Sequence, residues 1–149
     1  MNALAFAVVL PTLLVWHNVA DHWVQTSHQA AHKGARDWSG SWNCLKHVAT
    51  YTATTTAATL LVWWLFDLGV TLVGFVAGQL VSAVTHYWAD RRFTLAWLAR
   101  LTGHEGFYRL GVPREGRDDN PSLGTGAYAM DQAWHWAWLF AAAIVTAIA

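Results

Sequence analysis

Three pairs of histidine and aspartate have the spacing of a metal-chelating motif in this otherwise apolar chain. The two residues of each pair are four positions apart: His17 with Asp21, His86 with Asp90, and Asp131 with His135. A spacing of four is about one turn of an α-helix, so both side chains of a pair project from one face with their heads close together. Imidazole nitrogens and carboxylate oxygens are ligands for divalent transition metals, so the pairs predict a metal site.

A fourth histidine, His47, opens the next apolar segment and brings the candidate ligands to four histidines and three aspartates. This set could hold one divalent ion with an open position, or two ions bridged by a carboxylate. Zinc, manganese or a similar metal would suit these ligands. Because such ions activate water and clamp phosphate oxygens, the leading chemical prediction is hydrolysis of a phosphoester. Lys33 is the candidate catalytic residue, as a cation that holds the substrate phosphate.

Two other interpretations of these residues stay open. Histidine and aspartate side chains of neighbouring membrane helices can hydrogen-bond each other and so hold a helix bundle together. Chains of such residues also form proton or ion pathways. Against a pathway, the opposite halves of the apolar segments contain no ionisable residue apart from Asp67.

The composition places the candidate ligands in membrane helices. Of 149 residues, 55% are hydrophobic and 12% are charged, whereas about a quarter of a typical soluble domain is charged. Eleven tryptophans fit a chain that meets two membrane interfaces. A formal net charge of zero argues against a nucleic-acid partner. The single cysteine, Cys44, excludes a disulfide-stapled secreted scaffold.

Four apolar segments are about long enough to cross the ~30 Å hydrocarbon layer as helices. They cover about 3–24, 47–66, 68–88 and 132–149, with loops at 25–46 and 89–131. We therefore predict an all-α fold, a four-span transmembrane helical bundle that forms a single membrane domain over 1–149. No basic residue precedes Lys33, so the first segment is predicted to be a retained span and not a signal peptide.

The basic residues predict the orientation of this bundle. All nine lysines and arginines lie in the two loops, 25–46 and 89–131. Because basic residues accumulate on the cytoplasmic side, both loops are predicted to be cytoplasmic and both chain ends to face out. The protein is then a multi-pass protein of the inner or plasma membrane. All seven candidate ligands fall at the cytoplasmic helix ends, with membrane lipids and a phosphate-containing substrate as the expected partners.

The second loop predicts further structure. From Arg91 to Leu101 the apolar residues recur at helical spacing, which is typical of a short interfacial helix in the headgroup plane. The stretch 103–126 is rich in Gly, Pro, Asp, Asn and Ser and predicts a mobile loop or lid. Within the third segment, Gly74 and Gly78 form a small-residue pair that could let another helix approach closely.

Four stretches of the chain resemble a family of small bacterial and phage membrane proteins catalogued as domain of unknown function 3307. They are HNVADHWVQTSHQAAHKG, KHVATY, THYWADRR and MDQAWHWAW, and the resemblance covers nearly the whole chain. The family pattern maps onto His17, Asp21, Gln25, Lys33, His47, His86, Asp90, Asp131, Gln132 and His135. His22 departs from it, because an aromatic residue often follows the first aspartate. The family has no settled activity, so the resemblance implies the site more than the reaction.

More remotely, the chain is similar to membrane-bound metal-dependent hydrolases. Through them it resembles the helical zinc-dependent phospholipase C and single-strand nuclease group, in which His and Asp of several helices hold metal ions. This likeness is an analogy at the level of the fold.

The sequence thus predicts an integral membrane protein with a cytoplasm-facing His/Asp metal site that hydrolyses a phosphoester at the inner leaflet. The alternative from another class is a non-enzymatic membrane protein, such as a phage or bacterial modifier of the envelope, whose His/Asp pairs are structural.

Overall fold

The computed structural model describes residues 2–113 and 124–148, and within these ranges the chain is helical without a strand. This confirms the all-α prediction. The helices are α1 (Ala3–Val19), α2 (Ser27–His32), α3 (Trp38–Phe66), α4 (Leu72–Asp90), α5 (Phe93–Leu101), α6 (Glu105–Tyr108) and α7 (Gly126–Ile148). Among residues weighed from the sequence, Arg114, Arg117, Asp118, Asp119 and Asn120 lie outside the described ranges.

The first predicted segment, 3–24, is helical throughout but changes type near its end. Asn2 caps α1 with a side chain that accepts a backbone N–H of the first turn at 3.0 Å. A π-helical turn, Ala20–Val24, follows α1 and is closed by Gln25 N–H donating to the Ala20 carbonyl at 2.9 Å. The turn contains Asp21, and π turns inside α-helices occur frequently at functional positions.

α3 begins at Trp38, well ahead of the predicted segment 47–66. The cause is a cap that the apolar pattern does not reveal. The Asp37 carboxylate accepts the Gly40 N–H at 2.7 Å, which satisfies a donor of the first turn. His47 therefore lies inside a helix and not at its start.

The turn between α3 and α4 spans residues 67–71, whereas the predicted segments 47–66 and 68–88 are separated by residue 67 alone. Asp67 ends α3 in the left-handed conformation with φ 46°. Thr71 caps α4 by accepting the Gly74 N–H at 3.0 Å. α4 then continues to Asp90, past the predicted end at 88, so His86 and Asp90 share one regular helix.

α1, α3, α4 and α7 form an antiparallel four-helix bundle with an apolar end and a polar end. At the apolar end, Asn2 donates its N–H to the Ala147 carbonyl at 2.9 Å and its side-chain amide to the Gly69 carbonyl at 3.3 Å. The core there consists of Ala5, Val9, Leu13, Leu68, Leu139, Ala142, Ala143 and Ala147. Toward the polar end the buried side chains include His17, His47, His86, Asp90 and His135.

Gly78 lets α4 and α7 approach each other closely, as the sequence predicts for this residue. A Cβ at this position would lie 2.0 Å from Thr146 Oγ1 and 2.8 Å from the Ala142 carbonyl oxygen. Only a glycine therefore fits this crossing without a shift of α7. The close packing sets the distance at which His86 on α4 faces His135 on α7.

The chain after α4 confirms the short helix predicted over 91–101, since α5 begins at Phe93. Arg92, just before it, has φ 58° and so lies in a region that favours glycine. The predicted loop 103–126 contains α6 in its described part. α7 begins at Gly126, ahead of the predicted 132.

One helical stretch in the described part of the chain, Ala3–Val24, is long and apolar enough to cross a membrane by length and composition. α3, α4 and α7 are long, but each contains polar residues that lower its mean hydropathy. The four-span bundle therefore stays a prediction.

Candidate metal centre

All seven candidate ligands converge at the polar end of the bundle, and each belongs to at least one cluster whose ligand atoms lie within 4.8 Å of one another. They come from four elements: α1 with its π-helical turn, α3, α4 and α7. The four histidines and Asp90 are buried. The side chains of Asp21 and Asp131 are 9% and 26% exposed, so the site opens on their side.

Four of the seven residues form a compact inner cluster. His47 Nε2 and His86 Nε2 lie 3.0 Å apart. Asp90 Oδ2 lies 3.1 Å from His47 Nε2 and 3.2 Å from His86 Nε2. Asp21 Oδ1 lies 3.4 Å and 3.5 Å from the same two nitrogens. Two nitrogens and two oxygens, one from each residue, thus face one small volume.

Five of the six distances among these four atoms, 3.0–3.5 Å, are close to those between the ligands of a single tetrahedral ion, and the shortest lie slightly below them. Bonds of about 2.0–2.2 Å in a tetrahedral site place neighbouring donor atoms about 3.3–3.6 Å apart. Asp21 Oδ1 and Asp90 Oδ2 are buried and accept no hydrogen bond, although both lie close to imidazole nitrogens. Carboxylate oxygens that lie this close to imidazole nitrogens without a hydrogen bond from another described residue fit lone pairs that point to a common centre.

The other three candidate ligands, His17, Asp131 and His135, surround this cluster more loosely. His17 Nδ1 lies 3.6 Å from Asp21 Oδ2, and His135 Nε2 lies 3.6 Å from Asp131 Oδ1. His135 Nε2 is also 4.0 Å from Asp90 Oδ1. The rings of His17 and His135 have centroids 4.8 Å apart. Within residues 2–113 and 124–148, no group meets hydrogen-bond geometry with either His17 ring nitrogen.

Lys33, the candidate phosphate-holding residue, contacts the cluster from α2's C-terminal end. Its Nζ lies 2.7 Å from Asp90 Oδ1, and both side chains are buried. In this structure its ammonium therefore neutralises Asp90. Among the described residues it is the one lysine or arginine in an ion pair with the three aspartates, so the charged partners of Asp21 and Asp131 in this part of the chain are limited to histidines.

Arg91 fixes the chain around Lys33, a role that sequence reasoning missed. Its guanidinium donates to the Lys33 carbonyl at 3.1 Å and to the Ala35 carbonyl at 2.5 Å. The side chain is buried although the sequence shows only a loop cation. The sequence could have indicated this role, because Arg91 directly follows Asp90 at the end of a predicted helix. A residue in that position can reach a neighbouring loop.

Tyr51 and Ser82 fix the orientation of His86. The Tyr51 ring stacks on the His86 ring with centroids 3.9 Å apart and an interplanar angle of 19°. The Tyr51 hydroxyl lies 2.6 Å from Ser82 Oγ. Ser82 precedes His86 by four residues on α4, so the sequence places both on one face, whereas the contact with Tyr51 was missed. Its spacing of four from His47 is the signal that could have identified it.

A cleft of about 590 Å³ leads to the cluster from the surface. Asp21, Asp90 and Asp131 line it, and so do Gln25 and Gln132, which neighbour the pairs in sequence. Lys33, Arg92 and Tyr108 contribute to the walls as well. The aspartates are therefore accessible to a small molecule.

Arg92 brings an exposed cation to this cleft, in spite of its left-handed backbone. Its guanidinium donates to the Ala30 carbonyl at 2.8 Å, and its Cδ would lie 2.8 Å from a Cβ at Gly34. Gly34 thus leaves room for the arginine to cross. Partial burial and the charge of Asp131 raise the pKa of the Tyr108 phenol nearby, so this group is protonated at neutral pH.

Comparisons of the chain with protein-family models, with curated proteins and with solved structures found no match.

We predict that Lys33→Met destabilises the metal-free protein by about 3–5 kcal/mol, because it leaves the buried Asp90 carboxylate without its cation. Equilibrium unfolding of the purified protein, followed by circular dichroism, measures this free energy. The matched control is Lys46→Met, which removes an exposed ammonium lying above the Trp42 ring. Equal, small changes for both variants would show that the Lys33–Asp90 pair contributes nothing particular to stability.

Proposed function

We propose that this protein binds one divalent transition-metal ion through Asp21, His47, His86 and Asp90 and uses it to hydrolyse a phosphoester at a membrane surface. The observation that carries the proposal is the set of five distances between 3.0 Å and 3.5 Å that join the four donor atoms. Zinc fits this donor set and spacing well.

Charge supports one ion and not two. Asp90 Oδ1, the oxygen that would reach a second ion, already contacts the Lys33 ammonium. His17, Asp131 and His135 then lie beside the ion without binding it, and can contact substrate or water.

The polarity of the bundle supports four membrane spans. Large apolar side chains are exposed along all four long helices: Leu4, Val15, Leu60, Leu61, Leu65, Val73, Val76, Leu80, Val84 and Phe140. Buried polar side chains of these helices, by contrast, include Thr55, Thr59, Gln79, Ser82 and Thr146. Tryptophans are exposed toward both ends, with Trp64 at one and Trp23 and Trp38 at the other, as in interfacial belts. We infer a four-span protein with both chain ends out, in keeping with the proposed kinship to domain of unknown function 3307.

In the proposed reaction, water supplies the new oxygen on phosphorus, and the phosphorus–oxygen bond to the alcohol breaks. A bound divalent ion would supply Lewis acidity for this step. His135 Nε2 takes the proton of the attacking water and then gives it to the departing alcohol oxygen, while Asp131 Oδ1, 3.6 Å away, stabilises the transient imidazolium. The exposed Arg92 guanidinium holds the phosphate in the cleft.

Two features of the site favour this function over the structural and pathway alternatives. A network that served only to join helices would be expected to satisfy its buried groups, but His17, Asp21, Asp90 and His135 all keep unpartnered atoms. A proton pathway would need to continue through the bundle. The apolar core around Leu13 and Leu139 fills the other end in the described residues.

We predict that protein purified without a histidine tag retains about one equivalent of a divalent transition metal after dialysis, and that His86→Ala lowers this below about a tenth. Elemental analysis by mass spectrometry measures the content. The matched control is His28→Ala, which removes an exposed histidine that stacks on His32. A native protein that contains no metal and takes none up on addition would contradict the proposed centre.

We predict metal-dependent hydrolysis of bis(p-nitrophenyl) phosphate or p-nitrophenyl phosphate, measured as released nitrophenolate. His135→Ala should keep the metal but lower kcat by about 100-fold, because the water loses its proton acceptor. His32→Ala, at an exposed position, serves as the control. A metal-loaded protein that hydrolyses neither ester would contradict the hydrolase while leaving the metal centre in place.

We predict that a membrane-impermeant maleimide labels Gly69→Cys in intact cells with a permeabilised outer membrane. Ser27→Cys and Arg109→Cys should react only after lysis, because their loops are cytoplasmic. The native Cys44 is buried and gives the background. Labelling of Ser27→Cys from outside would overturn the proposed orientation.

A further inference from the structure

A second concavity, with a volume of about 660 Å³, lies along α5 and shares no lining residue with the cleft of the metal centre. We call it the α5 groove. It is lined by Arg36, Trp88, Phe93, Thr94, Ala96, Trp97 and Arg100. No carboxylate is among these residues, so the groove combines aromatic surface with positive charge only.

The aromatic surface of the α5 groove is partly fixed and partly open. Trp88 stacks on Trp134 of α7 with centroids 4.5 Å apart, so its indole is held in place. Trp97 is 56% exposed, and Leu101, one turn further along α5, is 66% exposed. This apolar surface is not covered by the described residues. It suits the glycerol and upper acyl region of a lipid at the membrane interface.

The cations of the groove keep most of their donors available. The Arg36 guanidinium lies 5.1 Å from the centroid of the Phe93 ring and makes no hydrogen bond or ion pair with another described residue. Arg100 has one described ion pair, to Glu105 at 3.8 Å, in which both side chains are largely exposed. Such a pair contributes little and is readily exchanged. Arg91, in contrast, is buried and committed to backbone carbonyls.

We propose that the α5 groove is a binding site for an anionic phospholipid. The phosphate lies between Arg36 and Arg100, where guanidinium groups can donate paired hydrogen bonds to its oxygens. The glycerol and first acyl carbons lie on the exposed face of Trp97. Anionic headgroups are favoured because two cations face the groove with no acid among its lining residues. A soluble phosphate would leave the aromatic surface in water, so a lipid is the better occupant.

Native mass spectrometry of the whole protein in detergent tests this site by titration with phosphatidylglycerol. Phosphatidylcholine with the same acyl chains tests for the anionic headgroup, and glycerol 3-phosphate tests for the headgroup alone. We expect phosphatidylglycerol to bind at least about tenfold more tightly than either. Equal binding of phosphatidylcholine would overturn the anionic preference. Equal binding of glycerol 3-phosphate would overturn the lipid as occupant.

The double variant Arg36→Gln/Arg100→Gln should weaken phosphatidylglycerol binding by about tenfold or more. The matched control is Lys46→Gln/Arg109→Gln, which removes the same charge from exposed positions outside the groove. An equal loss in the control would show general electrostatic attraction and overturn the site. Trp97→Ala keeps both cations and should also weaken the binding of phosphatidylglycerol. Unchanged binding of this variant would overturn the role of the aromatic surface. None of these variants touches the metal ligands, so the result does not depend on the proposed hydrolase.

Discussion

Three carboxylates at the largely buried end of a helix bundle, with one ammonium beside them, set the main constraint on this structure. Removing such charges from water is costly unless opposite charge or a metal ion replaces the lost hydration. The Lys33 ammonium lies 2.7 Å from Asp90 and offsets part of this loss of hydration. Arg91 in turn holds the backbone of the Lys33 segment. The remaining negative charge lies where two imidazole nitrogens face the carboxylates, an arrangement that a divalent cation would stabilise.

The two ends of the bundle have different roles: the apolar end stabilises the fold, and the polar end holds the candidate metal centre. Its apolar end has a close-packed core of alanine, valine and leucine, in which the α4–α7 crossing at Gly78 leaves no room for a side chain. Its polar end has several buried polar atoms without a hydrogen-bond partner among the described residues. The first end stabilises the helices and thereby brings together polar side chains that would otherwise repel each other. A bundle can tolerate such a site because the helix ends are connected by loops that lie near water.

The helical spacing predicted that the two residues of each His/Asp pair share a face, because a periodicity of four reports a shared face. The alternating direction of the predicted spans then placed the three pairs and His47 at one end of the bundle. It could not predict which of them form the inner four, since that depends on distances between helices. Asp37 shows a different limit: its cap extends α3 to Trp38, but apolar length alone placed the start at 47. The Lys33–Asp90 contact and the stacking of Tyr51 on His86 join residues far apart in sequence. No local pattern encodes them.

The segment 33–36 connects the candidate metal centre with the α5 groove. At one end Lys33 contacts a carboxylate of the metal centre, and at the other Arg36 lies over Phe93 at the rim of the α5 groove. Arg91 donates to the Lys33 and Ala35 carbonyls, so these hydrogen bonds hold the segment against the end of α4 as one unit. A lipid headgroup that binds Arg36 and shifts its backbone would therefore also shift the backbone that positions the Lys33 ammonium. Lipid composition and metal affinity would then be thermodynamically linked, and any effect of one on the other would be reciprocal.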